Sequence, residues 1–338
     1  LEEVPRGEDR VRLRLNIAKI HDELAHWREG ELQGRVAVDE AESDAPSLLS
    51  WALNDYAQVL QSTNRLAEAE PLIRRALELD EKRFGPDHPK VAIRLNNLAQ
   101  LLQDTNRLAE AEPVMRRTLE LVESSFGPDH FRVAICLNNL AQLLQDTNRL
   151  AAAEPLMRRA LELDEKNFGP NNPNVARDLN NLAQLLQDTN RLSEAEPLMR
   201  RALELDEKSF GPDHPNVAID LNNLAQLLKA TNRLAEAEPL LRRALDLDEK
   251  CFGPNHPSVA IDLNNLAQLL KATNRLAEAE PLMRRALELD EKSFGADHPN
   301  VAINLNNLAQ LLQDTNRLEE AEPLMRRALE LDEKSFGL

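Results

Sequence analysis

The sequence predicts an all-α solenoid of stacked antiparallel helix pairs. Three observations carry that reading. The stretch LNNLAQLL begins at Leu95 and returns at Leu137, Leu179, Leu221, Leu263 and Leu305, each copy 42 residues after the last. Periods of this length mark repeat architectures, whose units bury their apolar faces only against their neighbours. Each unit also carries two stretches with helical spacing of apolar residues, separated by a short turn and closed by FGPDHP or a close variant. Finally, 42% of the chain is hydrophobic but only 3% aromatic, so the core is built from Leu, Ala, Val and Met.

In chain order, residues 1–46 contain VRLRLNIAKIHDELAHWREGELQGRVAVDEAE, which predicts a degenerate helix pair serving as an N-terminal cap. Seven helix pairs are expected over 47–338, at about 47–88, 89–130, 131–172, 173–214, 215–256, 257–298 and 299–338, the first being the most divergent. Helix A of the second unit runs from about Pro89 to Asp104. Pro89 suits the first helical position, where its missing N–H has no intrahelical partner to lose. Leu95, Leu98, Ala99 and Leu102 form one apolar face, which Val91, Ile93 and Leu101 extend. A narrow polar stripe remains: Asn96, Asn97, Gln100, Gln103 and Asp104.

The turn reads TNR. Asn tolerates the left-handed region better than any residue but Gly, so Asn106 is expected to close helix A, as are Asn64, Asn148, Asn190, Asn232, Asn274 and Asn316. Helix B spans about Leu108 to Ser124. Leu108, Ala111, Met115, Leu119 and Val122 face inward, and Glu112, Arg116, Glu120 and Glu123 face out. That broad charged face makes B the outer helix and A the inner one. Gly127 and its equivalents supply the left-handed cap of helix B. Pro113 and its equivalents fall inside helix B, where a lost hydrogen bond predicts a kink or a helix start near Glu112.

The pattern VAxxLNNLAxLL, AExLxRRALEL, FGPDHP resembles the tetratricopeptide repeat, specifically the 42-residue units of kinesin light chain and nephrocystin-like proteins. The resemblance covers roughly Ser47 to Gly337. It departs from the standard repeat in using Leu or Met where aromatics are common, and Asn rather than Gly between the helices. It implies a right-handed superhelix whose concave wall is lined by helix A, and a chain that binds protein or peptide partners.

On that wall Asn97, Asn139, Asn181, Asn223, Asn265 and Asn307 form a column. Asn96, Asn138, Asn180, Asn222, Asn264 and Asn306 form a second. Amides offer both a donor and an acceptor, so such columns could pair with the backbone of an extended peptide without reading its sequence. They are similar to the asparagine ladders of other tetratricopeptide proteins, including O-linked N-acetylglucosamine transferase. The alternative is that they fix packing between neighbouring helices. Gln100, Gln142, Gln184 and Gln226 continue the polar stripe. Some positions drift between copies. Arg94, Cys136, Asp178, Asp220, Asp262 and Asn304 are equivalents; so are Gln103, Gln145, Gln187, Lys229, Lys271 and Gln313. Asp104, Asp146, Asp188 and Asp314 give way to Ala230 and Ala272. These drifting positions are read as tuning a ligand's side chains, or as free surface.

Other signals point away from chemistry. The recurring loop residues His88, His130, His214, His256 and His298 lie too far apart to share a metal, given helix-packing distances of about 8–10 Å, and suit N-caps or loop packing. Arg74/Arg75 and their equivalents have acidic helical neighbours, which marks an ion-paired outer face. Arg107 sits where a cation opposes the helix dipole, so Glu110 is expected to hold it, although repeat three has Ala152 there. Trp27, Trp51 and Tyr56 are the only Trp and Tyr residues. They either cap the first repeat or form a partner contact. No nucleophile elbow, phosphate loop or metal cluster is present, so neither enzyme activity nor a cofactor is expected.

The net charge of −17 argues against nucleic acid and anionic membrane surfaces. Two distant cysteines fit a reducing, cytoplasmic setting. A start at Leu1 and a stop in mid-loop at Leu338 read as a segment of a longer protein. That leaves two functional readings: a groove-binding scaffold, or the sensor arm of a protein with a further effector or nucleotide-binding domain. An uncapped end at Leu338 would expose apolar surface and favour end-to-end association.

Overall fold

The computed structural model describes residues 7–24 and 26–336, and apart from short turns and one 3₁₀ turn at Pro46–Leu48 they are α-helical. The chain divides into two units, residues 1–170 and 171–338. The first holds α1 (Gly7–Glu23) and α2 (Trp27–Asp44), then the pairs α3 (Leu49–Ser62) with α4 (Leu66–Phe84), α5 (Pro89–Asp104) with α6 (Leu108–Phe126), and α7 (Phe131–Asp146) with α8 (Leu150–Phe168). The second holds α9 (Pro173–Asp188) with α10 (Leu192–Phe210), α11 (Pro215–Ala230) with α12 (Leu234–Phe252), α13 (Pro257–Ala272) with α14 (Leu276–Phe294), and α15 (Pro299–Asp314) with α16 (Leu318–Phe336). Within each unit every helix packs on the next in order. In the second unit α9, α11, α13 and α15 also touch one another in sequence, so the odd-numbered A helices line one side of the stack.

Small residues let the two helices of a pair approach. Ala99 and Ala111 are fully buried where α5 meets α6, beneath Leu95, Leu98 and Leu102. The next layer is built across repeats: Ala92, Val122, Val133, Ala134, Leu137 and Ala160 form one cluster with Phe126 at its edge. Neither helix of a pair could bury both of its faces alone, so stacking is a condition of folding.

The turn asparagines all adopt the left-handed region, with φ between 56° and 61°. That geometry lets the amide of Asn106 reach Gln103 O at 2.9 Å and that of Arg107 reach Leu102 O at 2.7 Å, closing α5. His88 accepts from Lys90 N through Nδ1 at 3.2 Å and stacks on Phe84, so the loop histidines are helix caps. Asn172 does the same work in repeat four, accepting from Asn174 N at 2.9 Å.

Two expectations need correction. Helix B does not start near Glu112. It starts at Leu108, because Arg107 O takes both the Glu110 and Ala111 amides, at 3.0 and 3.1 Å. Pro113 is exposed there and forfeits a single backbone bond. Ile93 is not part of the buried face of helix A; it is exposed, as are Ile219, Ile261 and Ile303.

Candidate functional site

The inner face is assembled from three rows on the A helices. Asn97, Asn139, Asn181, Asn223, Asn265 and Asn307 are partly buried, while Gln100, Gln142, Gln184 and Gln226 are exposed. Their partners show how much of each amide is already engaged. Asn97 Nδ2 donates to Asn54 Oδ1 of the preceding repeat at 2.6 Å, Asn139 to Asn96 at 2.6 Å and Asn265 to Asn222 at 3.0 Å. At these positions one N–H of the amino group is engaged inside the fold, and among the described residues no hydrogen bond reaches the amide oxygen. Gln100, Gln142 and Gln184 each donate to the aspartate one turn later, at 3.0, 3.1 and 3.4 Å.

The second column, of Asn96, Asn138, Asn180, Asn222, Asn264 and Asn306, works between repeats as well. Besides accepting from the first column, Asn222 donates to Asp262 Oδ1 at 2.5 Å and to Ala218 O at 3.1 Å. Asn180 donates to Asp220, and Asn264 to Asn304. Where these bonds form, the doubled asparagine is a relay that ties an inner helix to its neighbour within the same unit, whereas Asn307 Nδ2 is buried with no partner among the described residues.

This relay corrects the reading of one drifting position. Arg94, Cys136, Asp178, Asp220, Asp262 and Asn304 are neither ligand-facing nor free surface, for all six are buried. Within each unit these residues lie on helix A opposite the end of the preceding helix B, and the pairs can be followed one by one. Arg94 Nε is 2.9 Å from Asp80 Oδ2, a salt bridge excluded from solvent. Cys136 joins an apolar cluster with Val122. Asn304 donates to Asp290 Oδ2 at 2.8 Å. Asp262 and Asp248 are both buried and face each other, so the charge of one disfavours the charge of the other.

Burial and the facing acid push these carboxyls up. Desolvation raises Asp220 to about 7 against the bond from Asn180, with Asp206 and Glu207 adding to the rise. Desolvation raises Asp290 to about 6. Asp248 and Asp262 are raised by burial too, and Asp206 likewise. A perturbed pKa often marks a functional site. Here the groups are sealed between helices, and their partners are other packing residues.

In the last turn of helix A, Lys229 and Lys271 stand where the other repeats have Gln103, Gln145, Gln187 and Gln313. Lys271 Nζ pairs with Asp314 Oδ2 at 2.9 Å, while Lys229 Nζ donates to Gln268 Oε1 at 3.0 Å. Both line a cavity of about 560 Å³ together with Gln268, Asn307, Gln310 and Asp314. In the first unit, Trp51 is 48% exposed, lies under the Arg94 guanidinium at 5.3 Å, and edges a cavity of about 640 Å³ beside Arg12, Arg83 and Lys90. Trp27 is half-buried at the start of α2.

The outer face is committed to ion pairs. Arg107 is held by Glu110 at 2.6 Å and by Glu70 of the preceding repeat at 2.8 Å. In repeat three, where Ala152 replaces that glutamate, Arg149 relies on Glu112 at 2.8 Å. Of the paired arginines, Arg116 bonds Glu112 and Arg117 reaches back to Glu81, each at 2.9 Å. Among the described residues no cluster of ligands could hold a metal ion, and no helix is long and apolar enough to cross a membrane.

Repeated helix pairs with this inner face define a helical-repeat protein, and sequence comparison gives the family. The tetratricopeptide repeat model matches at residues 48–124, 95–166, 145–208, 179–250, 232–292 and 258–334. The chain belongs to the tetratricopeptide repeat family. A search of curated proteins finds no match. Among solved structures, it is similar to the nearly identical TPR-like repeats of a kinesin light chain from Podosopora anserina, with 21% identity and a TM-score of 0.51 over 61% of this chain and 98% of that one. It is also similar to BtubC (BKLC) from P. vanneervenii, with 21% identity and a TM-score of 0.53 over 73% of this chain and 93% of that one. A Rap protein complexed with competence and sporulation factor aligns over 97% of this chain and 99% of its own, at 13% identity and a TM-score of 0.57.

Proposed function

We propose that this chain is a non-enzymatic scaffold that holds an extended peptide or a partner surface in the groove lined by its A helices. The observation that carries the reading is the contrast between the two faces. The outer charges are matched by neighbours, whereas the inner face leaves amide oxygens open at Asn97, Asn139 and Asn265 beside exposed glutamines and cavities of several hundred Å³. Acceptors at repeat spacing suit the backbone N–H groups of an extended peptide. The Rap protein complexed with its factor is a precedent in fold. A cytoplasmic setting goes with this reading, from the two free cysteines.

The asparagines are poor targets for a test, since removing them breaks the relay. The glutamines are exposed and can be changed without touching the core. With Gln100, Gln142, Gln184 and Gln226 all changed to Arg, helicity and melting temperature should hold. Capture of the partner, or of peptides selected from a random library, should fall at least about tenfold, which is about 1.4 kcal/mol. Capture that survives unchanged would move the function to the outer face or to the Trp51 cavity.

We also propose end-to-end association of the 338-residue chain. Residue Leu338 itself lies outside the described residues, but α16 already presents the surface needed. Leu329 is 59% exposed, whereas Leu287, its equivalent 42 residues earlier, packs against Val301 and Leu305 of the following pair. Light scattering should show mass rising with concentration, and Leu329→Glu should abolish the rise. A monomer at every concentration would end this proposal.

A further inference from the structure

The first helix of the first unit and the last helix of the second each leave bare an apolar side that the helix pairs inside a unit cover. The pair α1 and α2 follows the repeat with a register of 39 residues, the distance from His26 to Arg65. His26 N meets His21 O at 2.8 Å, as Arg65 N meets Leu60 O at 2.8 Å. His26 O takes the Glu29 and Gly30 amides, as Arg65 O takes those of Glu68 and Ala69. So α1 is a helix A. With one 42-residue period added to that register, Leu13, Ile17 and Ile20 hold the places of Arg94, Leu98 and Leu101 in α5. Those three are buried in α5, whereas Leu13 is 51% and Ile20 53% exposed. Leu24 is exposed too and continues the stripe by another turn. The opposite side of α1, Val11 and Leu15, is already buried with Ala37, Val38 and Ala41 of α2. A helix that is apolar on two sides suits cover on both. For α5 the second cover comes from the preceding helix B, α4, whose Asp80 meets Arg94. Among the described residues no helix precedes α1. At the other end, Leu329 and Leu318 of α16 are exposed, and Met325 is only partly buried where its equivalent Met283 is closed off.

We propose that α16 of one copy stacks on α1 of a second copy, in the register of α4 on α5, so that copies join head to tail. The inference rests on the end-to-end association proposed above and adds its second face and its polarity. A second copy is the fitting occupant, because within each unit a helix B of this same chain covers that side of the next helix A. Charge favours the same choice over two tails meeting. Helix α16 carries six acids and three cations, so two such helices repel, while α1 carries four of each. The register also places one mismatch in the join. Asp332 holds the position of Asp80, and Leu13 that of Arg94, so a carboxylate meets a leucine.

The test is the mass of whole-chain variants by light scattering over a concentration series. Ile20→Glu alters the head and Leu329→Glu the tail, both at exposed positions, so helicity and melting temperature should hold. Each variant alone should stay a monomer, because a head-to-tail join needs both faces. Mixed in equal amounts, the two should form a species of two chains and grow no further, since the one intact tail then covers the one intact head. Asp332→Val removes the mismatch and makes the join resemble that of Val122 with Cys136. It should lower the concentration of half-association at least about tenfold. Association that persists in Ile20→Glu but not in Leu329→Glu would overturn the head-to-tail join and leave end-to-end association standing, as a contact between two tails. A mixture that stays monomeric would overturn the join, and so would an Asp332→Val chain that associates no more tightly than the parent. A parent that is monomeric at every concentration, or association that survives both changes, would overturn the end-to-end reading as well.

Discussion

Changing Asp220 to Asn makes the chain more stable at pH 8 and leaves it no more stable at pH 4. Asp220 is buried, accepts from Asn180, and faces a second buried acid, Asp206. Its folded pKa is raised to about 7, well above the unfolded value of 3.8. Below about pH 4 the carboxyl is protonated in both states and contributes fully. Between pH 4 and 7 only the folded state holds the proton, so stability falls as pH rises, by up to about 1.4 kcal/mol per pH unit, and the loss is complete above pH 7. An amide has no such dependence. It keeps the acceptor for Asn180 and adds a donor toward Asp206, which is how Asn304 already meets Asp290 at 2.8 Å. Because a solenoid opens locally, the gain should be read both by melting at pH 4, 6 and 8 and by amide exchange in α10 and α11. It should grow across the series to a few kcal/mol at pH 8. A gain independent of pH, or a loss at pH 8, would show that the acid pair is not what limits this interface.

Much of this molecule is legible in the sequence, because repetition multiplies weak local signals. One Asn in a TNR turn is an ambiguous cue, whereas seven in register point to the left-handed residue found at every one of them. The caps, the helix lengths and the Arg107–Glu110 pairs follow from spacing along one chain. What spacing did not give was the meaning of positions whose partner lies in the neighbouring repeat. Arg94, Cys136, Asp220 and Asn304 look like surface drift when compared among themselves. They make sense only beside the residue fourteen positions earlier, at the end of the preceding helix B, where Asp80, Val122, Asp206 and Asp290 vary too little to draw notice. The paired asparagines hide in the same way: reading one helix gives two amide columns, and only the stacked pair shows that Asn97, Asn139 and Asn265 donate to the preceding repeat.

The same matching makes Arg94 a sensitive position in the first unit. Among the described residues its guanidinium is the ion-pair partner of Asp80, in a site closed to solvent, and it also covers Trp51. Changing Arg94 to Met removes the charge but keeps much of the bulk, so the expected loss comes from a carboxylate left buried and unpaired, about 3–5 kcal/mol. The loss should appear as faster amide exchange where α4 meets α5, before any global transition. The decisive variant is the double one. Adding Asp80→Val removes the stranded acid and makes this interface resemble the next, where Val122 and Cys136 share an apolar cluster. Replacing a buried ion pair by packed apolar groups is often neutral or stabilising, so the double variant should recover most of the protection that Arg94→Met loses. If the single change leaves exchange untouched, the salt bridge does not hold this interface. If the double variant is no better than the single, the loss comes from the cavity beside Trp51 and not from the stranded charge.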